Sequence, residues 1–208
     1  MGEPLHLSLW FREFSEKTML LYWAAVLEQF PQSSFSPGIR SLAVYPLGWA
    51  EAPLLEQAFD DGADTGQVVA LAAESLHEDC AYEARLQWDV WEVQETGDRL
   101  DQWKRGPAAV AVTCLGSLFE PEEAAGRGPL QLDLGVDSLF LPPDGVVADA
   151  DFRESVAGSC YRENIEQLLL FIHRLEQKLP LARRQLWSES ESDFASRSRS
   201  AWQFHAAP

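Results

Sequence analysis

Between Ser41 and Ala84 the chain has no lysine or arginine, and it has few elsewhere: 16 in 208 residues, against 33 aspartates and glutamates. This shortage of cations argues against nucleic-acid binding, because affinity for phosphate backbones rests on basic contacts that release counterions. Anionic membrane surfaces are disfavoured for the same reason. Cysteine is also scarce. Cys80, Cys114 and Cys160 are odd in number and widely spaced, which is neither a disulfide framework nor a zinc pattern. Reduced thiols in a cytoplasmic protein are the expectation. No run reaches the roughly 18 apolar residues that span a bilayer. Glu3 stands where a basic leader segment would begin, so no signal peptide is expected. The chain lacks GxGxxG, GxxxxGK[ST], HExxH and GxSxG, which removes the commonest nucleotide, zinc-protease and hydrolase readings. No cofactor or metal is expected.

What is present is an acidic block. Ser41–Ala84 carries nine carboxylates: Glu51, Glu56, Asp60, Asp61, Asp64, Glu74, Glu78, Asp79 and Glu83. Like charges at this density must be solvated or neutralised. The net charge is −17, and almost all of it lies before residue 153. Arg183 and Arg184, in the more basic C-terminal part, are the natural internal complement. A basic protein partner, or self-association as a dimer, is the external one. Eight tryptophans add apolar area with an N–H that wants a partner.

Periodicity organises the rest. Leu5–Phe11 alternates as a half-buried strand, with Leu5, Leu7, Leu9 and Phe11 inward and His6, Ser8 and Trp10 outward. Ser15 caps a helix running to Phe30, with Met19, Tyr22, Trp23, Val26, Leu27 and Phe30 on its apolar stripe. Ile39–Tyr45 reads as a strand that Pro46 and Gly48 interrupt, so an edge, a bulge or a bend is expected there. Leu54–Phe59 has no clear type, and Asp60–Asp64 reads as a loop. Gln67–His77 is helical in pattern, with Val68, Val69, Ala72 and Leu76 inward. Tyr82–Val93, Ala108–Leu118 and Leu130–Val136 follow as strands with short links, which predicts an antiparallel meander. Asp149 or Asp151 opens the longest helix, ending near Leu179. Leu181–Trp187 is expected to add a helical turn or two. The order β-α-β-α-β-β-β-α predicts an α+β fold. It has a single, mostly antiparallel sheet with helices packed on one face, ferredoxin-like or related. Residues 1–187 are read as one domain, and 188–208 as a Ser/Glu/Arg-rich tail whose Trp202 and Phe204 are expected to dock.

Three constellations bear on chemistry. His77 and Cys80 share a spacing of three, but a zinc site needs more ligands than this pair supplies. Asp60, Asp61 and Asp64 lack the alternate spacing and the twelfth-position glutamate of a calcium loop. Strand parity yields the third: the outward face gathers His6, Trp10, Glu83, Arg85, Asp89, Trp91 and Asp133. An imidazole beside carboxylates suits proton transfer, tryptophans suit stacking, and arginine suits an anion. These seven are the candidate ligand-binding residues; parity leaves their adjacency open, because register is not encoded in it. Two functions follow. One is a binding or protein-interaction module. The other is a small-molecule enzyme with His6 as acid/base. An acidic mimic of nucleic acid is a third idea.

Overall fold

The computed structural model describes residues 2–94, 102–142, 150–188 and 194. Its centre is one seven-stranded sheet in the order β3-β2-β4-β5-β6-β1-β7. The strands are β1 (Pro4–Phe11), β2 (Ile39–Pro46), β3 (Leu55–Ala63), β4 (Cys80–Gln94), β5 (Gln102–Leu115), β6 (Leu130–Val136) and β7 (Leu181–Ser188). Every neighbouring pair is antiparallel. The helices are α1 (Glu16–Gln29), α2 (Thr65–Ala73), α3 (Pro121–Arg127), α4 (Ala150–Glu154) and α5 (Val156–Lys178).

The α+β class and the antiparallel sheet follow the pattern read above, but seven strands exceed a ferredoxin-like arrangement. Two of them occupy segments expected to be something else. β3 takes in residues 60–63 of the expected Asp60–Asp64 loop and pairs with β2, displacing β2 from the edge. A bulge between Ile39 and Ser41 absorbs the extra residues around Asp60 and Asp61. Gly62 makes the bulge possible: its φ is 78°, and a Cβ there would lie 2.2 Å from the Pro37 carbonyl oxygen. β7 replaces the expected helical turns because Pro180 ends α5 and the chain reverses onto β1. Leu181 and Leu186 then pack on the core, while Arg183, Gln185 and Trp187 lie across from Trp10, Ser8 and His6.

The core lies between one sheet face and α1, α2 and α5. Leu5, Leu7 and Leu9 are fully buried, as are Val112, Leu132, Trp23 and Leu168. The Trp23 indole N–H donates to the Val112 carbonyl at 3.0 Å, so a large apolar ring is buried without an orphaned donor. The α1 stripe is buried as expected, except that Tyr22 is only partly covered. α2 stops at Ala73, so Leu76 is exposed rather than inward. The expected single C-terminal helix is broken at Ser155. Its hydroxyl donates to the Phe152 carbonyl at 2.6 Å and accepts from the Gly158 N–H at 3.1 Å, so it closes α4 and caps α5.

Helices do not occupy one face alone. The acidic connection 121–127 forms α3 on the opposite face, opened by Pro121. There Ala124 packs on a small cluster of Ala81, Leu115 and Phe119, beside Tyr45. Trp202 and Phe204 lie outside the described residues. Phe194, also in the expected tail, is 1 % exposed and belongs to the main core. Among the described residues no helix is long and apolar enough to cross a membrane.

Candidate functional site

β5 carries two kinds of side chain. Val110, Val112 and Cys114 face the helices and are buried. Ala109, Ala111 and Thr113 face the other way and are small. Small residues on a central strand, with longer ones on both neighbours, leave a depression. A groove of about 350 Å³ lies there, floored by Ala109, Ala111 and Thr113. Glu83 and Arg85 of β4 wall one side; Gln131 and Asp133 of β6, with His6 of β1, wall the other. It opens where β6 leaves β5: their pairing stops at Asp133 opposite Ala111, and Gly135 follows at φ 89°.

Register decides which candidate residues adjoin. One cross-strand row reads Ser41–Arg85–Ala111–Asp133–His6–Trp187. The next reads Glu56–Ala43–Glu83–Thr113–Gln131–Ser8–Gln185. Residues directly opposite have Cβ atoms about 5 Å apart. Four of the seven candidates, His6, Glu83, Arg85 and Asp133, therefore line one groove.

The other three sit elsewhere. Trp10 stands under the Arg183 guanidinium, 4.4 Å from the ring centre, and its N–H reaches the Ala125 carbonyl at 3.3 Å. Trp91 is tied to α5: its indole donates to Glu163 at 2.7 Å, and its backbone N–H and C=O are both bound by the buried Asn164. Asp89 is 8 % exposed and accepts from the Ser33 hydroxyl, the Ser34 N–H (2.8 Å) and the Ser34 hydroxyl (2.6 Å). Burial pushes its pKa up, but the serine bonds outweigh that and hold the carboxyl below its ordinary range. Asp89 anchors the 31–38 loop.

The groove electrostatics are mixed. Arg85 Nε donates to Glu83 Oε1 at 2.8 Å, and this bond, with the Glu83 charge, raises the arginine pKa. Asp133 Oδ1 accepts from the Gly135 N–H at 3.1 Å. At the β7 side, Arg127 lies 5.3 Å from the Trp187 ring centre, and that ring sits 4.6 Å from His6. The cations at the β7 side are thus laid over aromatic faces, and the centre holds the Arg85–Glu83 pair on one wall and Asp133 on the other.

No protein-family model matches the chain, and no curated protein and no solved structure is detectably similar to it.

The other constellations resolve into structure. His77 is bonded to Asp79 at 2.7 Å. Burial, with help from Asp79, pushes the Cys80 thiol up to about 11, which disfavours the thiolate a metal would need. Among the described residues no three His, Cys, Asp or Glu side chains are grouped to hold a metal. Asp64 caps α2 by accepting from the Gln67 N–H at 2.8 Å.

The acidic block lies along the β2–β3–α2 side. Among the described residues Glu51, Glu56, Asp60, Asp61, Glu74 and Glu78 make no ion pair. The internal complement expected from Arg183 and Arg184 is absent. Both lie on β7, six strand spacings from β3, or roughly 30 Å. Arg184 instead pairs with Glu176 of α5 at 2.5 Å.

One signal that periodicity missed is strain. Leu47, at the start of the loop after β2, has φ 61°, in the left-handed region. For a leucine this costs about 1 kcal/mol, and the side chain is 65 % exposed. Leu47→Asn should raise stability by about 1 kcal/mol, because asparagine tolerates that conformation. Urea midpoints would check it; a lower midpoint would mean that contacts of the Leu47 side chain outweigh the strain.

Proposed function

We propose that this chain is a protein-interaction module that seats a cationic side chain of a basic partner in the groove on its open sheet face. The observation that carries the reading is the juxtaposition of Glu83 and Asp133 across a floor of alanines. Around 350 Å³ is the low end for a ligand pocket, suited to one long side chain rather than a large cofactor. A lysine or arginine brings an aliphatic stem for Ala109 and Ala111 and a charge for the two carboxylates. The field of a chain carrying −17 favours such a guest and repels a second copy. Arg85 shares Glu83 with the guest, and its side chain is 64 % exposed, so solvent screens its charge.

A small-molecule enzyme with His6 as acid/base has one observation in its favour: His6 stands opposite Asp133. The groove-lining residues include no serine, cysteine or lysine, and Thr113 supplies the hydroxyl. The binding reading uses both carboxylates of the groove, whereas the catalytic one leaves Glu83 without a role.

Titrating an oligo-arginine peptide into the full chain, followed by amide NMR, tests the proposal. Shifts are expected at Glu83, Ala111 and Asp133, with affinity falling at least about tenfold between roughly 0.05 M and 0.5 M salt. Shifts confined to β3, with the groove silent, would show that the peptide senses only the diffuse acidic field.

A further inference from the structure

The carboxylate groove has an apolar neighbour. Loops meet at the end of the sheet where β2 finishes, β4 begins and β5 finishes. The turn at Glu78–Asp79 ties them together: the Leu47 N–H donates to the Asp79 carbonyl at 2.7 Å, and the Leu118 N–H to the Glu78 carbonyl at 2.8 Å. Leu47 and Leu118 therefore flank that turn, 65 % and 60 % exposed. Trp49, 40 % exposed, packs 5.3 Å from Tyr45 and 5.0 Å from Phe119, and Glu123 holds its indole N–H at 2.9 Å. Tyr45 lies opposite Ala81, one row beyond the row containing Glu83. The apolar patch thus adjoins the Glu83 end of the groove. Chain 41–84 brings no cation to it.

We infer that patch and groove are one surface for a single extended, basic segment of a protein partner. A bulky apolar side chain of that segment seats against Leu47, Trp49 and Leu118 while one of its lysines or arginines enters between Glu83 and Asp133. The inference rests on the groove reading above and adds a sequence requirement to it. The Tyr45 row and the Asp133 row are separated by four residues of strand, about 14 Å. An extended guest therefore carries its apolar anchor about four residues from its cation. Charge complementarity selects this occupant: the leucines flank the Glu78–Asp79 turn within a stretch, 41–84, that holds nine carboxylates and no lysine or arginine, so an acidic segment is repelled and a basic one attracted.

The test uses two synthetic arginine peptides, one with leucine four residues from the first arginine and one with glycine there, made in each chain direction. They are titrated calorimetrically into the wild-type chain, Leu118→Ser and Trp49→Ala. In one direction the leucine peptide should bind about tenfold tighter than its glycine counterpart, as expected for burying one leucine. Leu118→Ser, at an exposed position, should erase the gain and leave glycine-peptide binding unchanged even if Trp49→Ala folds poorly. Equal affinity of the two peptides in both directions overturns this inference and leaves the groove reading standing. If neither peptide binds at low salt, the groove reading falls and takes the inference with it. A dimer in light scattering that Leu118→Ser dissolves would assign the patch to a second copy and also overturn the inference.

Discussion

Replacing Asp89 by alanine is expected to destabilise the fold by about 3 kcal/mol. The carboxylate is buried and accepts from Ser33 and Ser34 three times over. Ser33 is itself buried, and its oxygen accepts from the Phe35 and Ser36 N–H groups at 3.1 and 3.0 Å. Removing Asp89 therefore leaves the buried Ser33 hydroxyl and the two Ser34 donors without their charged acceptor, and the chain of bonds loosens from its root. Against a total of roughly 5–15 kcal/mol, this is a large fraction. Urea unfolding with an unchanged slope and a lower midpoint would show it; a loss below about 1 kcal/mol would mean that water replaces the carboxylate. The pH dependence has a definite sign. The folded pKa lies below the ordinary 3.8, so the folded state favours the ionised form. That contribution is fully present above the unfolded-state pKa and is lost as pH falls through the lower folded value. Asp89→Ala should accordingly flatten the acid limb of the stability curve below about pH 4.

The second large effect is on binding. Ala111 forms the floor of the groove between Arg85 and Asp133. A phenylalanine there would put a ring into the space assigned to the guest side chain. The substitution points away from the helix-covered core, where Val110 and Val112 do the packing. Phenylalanine is also well suited to a strand. Stability should thus move by about 0.5 kcal/mol at most, while peptide affinity falls more than tenfold. Loss of binding with an unaltered melting curve separates occlusion of the groove from damage to the fold.

Much of the sheet was legible because side-chain alternation reports burial directly. Leu5, Leu7 and Leu9, and Leu130, Leu132 and Leu134, are buried as their spacing requires. β3 and β7 were not legible for the same physical reason. Edge strands lean on one neighbour and are largely solvated, so Glu56–Asp61 and Ala182–Gln185 carry no apolar period to read. Parity put His6, Glu83, Arg85 and Asp133 on one face, but only register shows them sharing a groove, and register is set by distant pairing. Asp89 and Trp91 have the same parity yet are drawn off by Ser33, Ser34 and Glu163, contacts more than 50 positions away in the chain. The groove floor did leave a trace. Ala109, Ala111 and Thr113 alternate with Val110, Val112 and Cys114, so this strand is small on one face and larger on the other.

The most direct measurement is calorimetric titration of the oligo-arginine peptide into the wild-type chain and into Ala111→Phe, both confirmed folded by melting. A guest held between Glu83 and Asp133 predicts saturable binding to the wild type and its loss in the variant. Equal binding to both would contradict a groove site and leave only the diffuse acidic surface as the attraction.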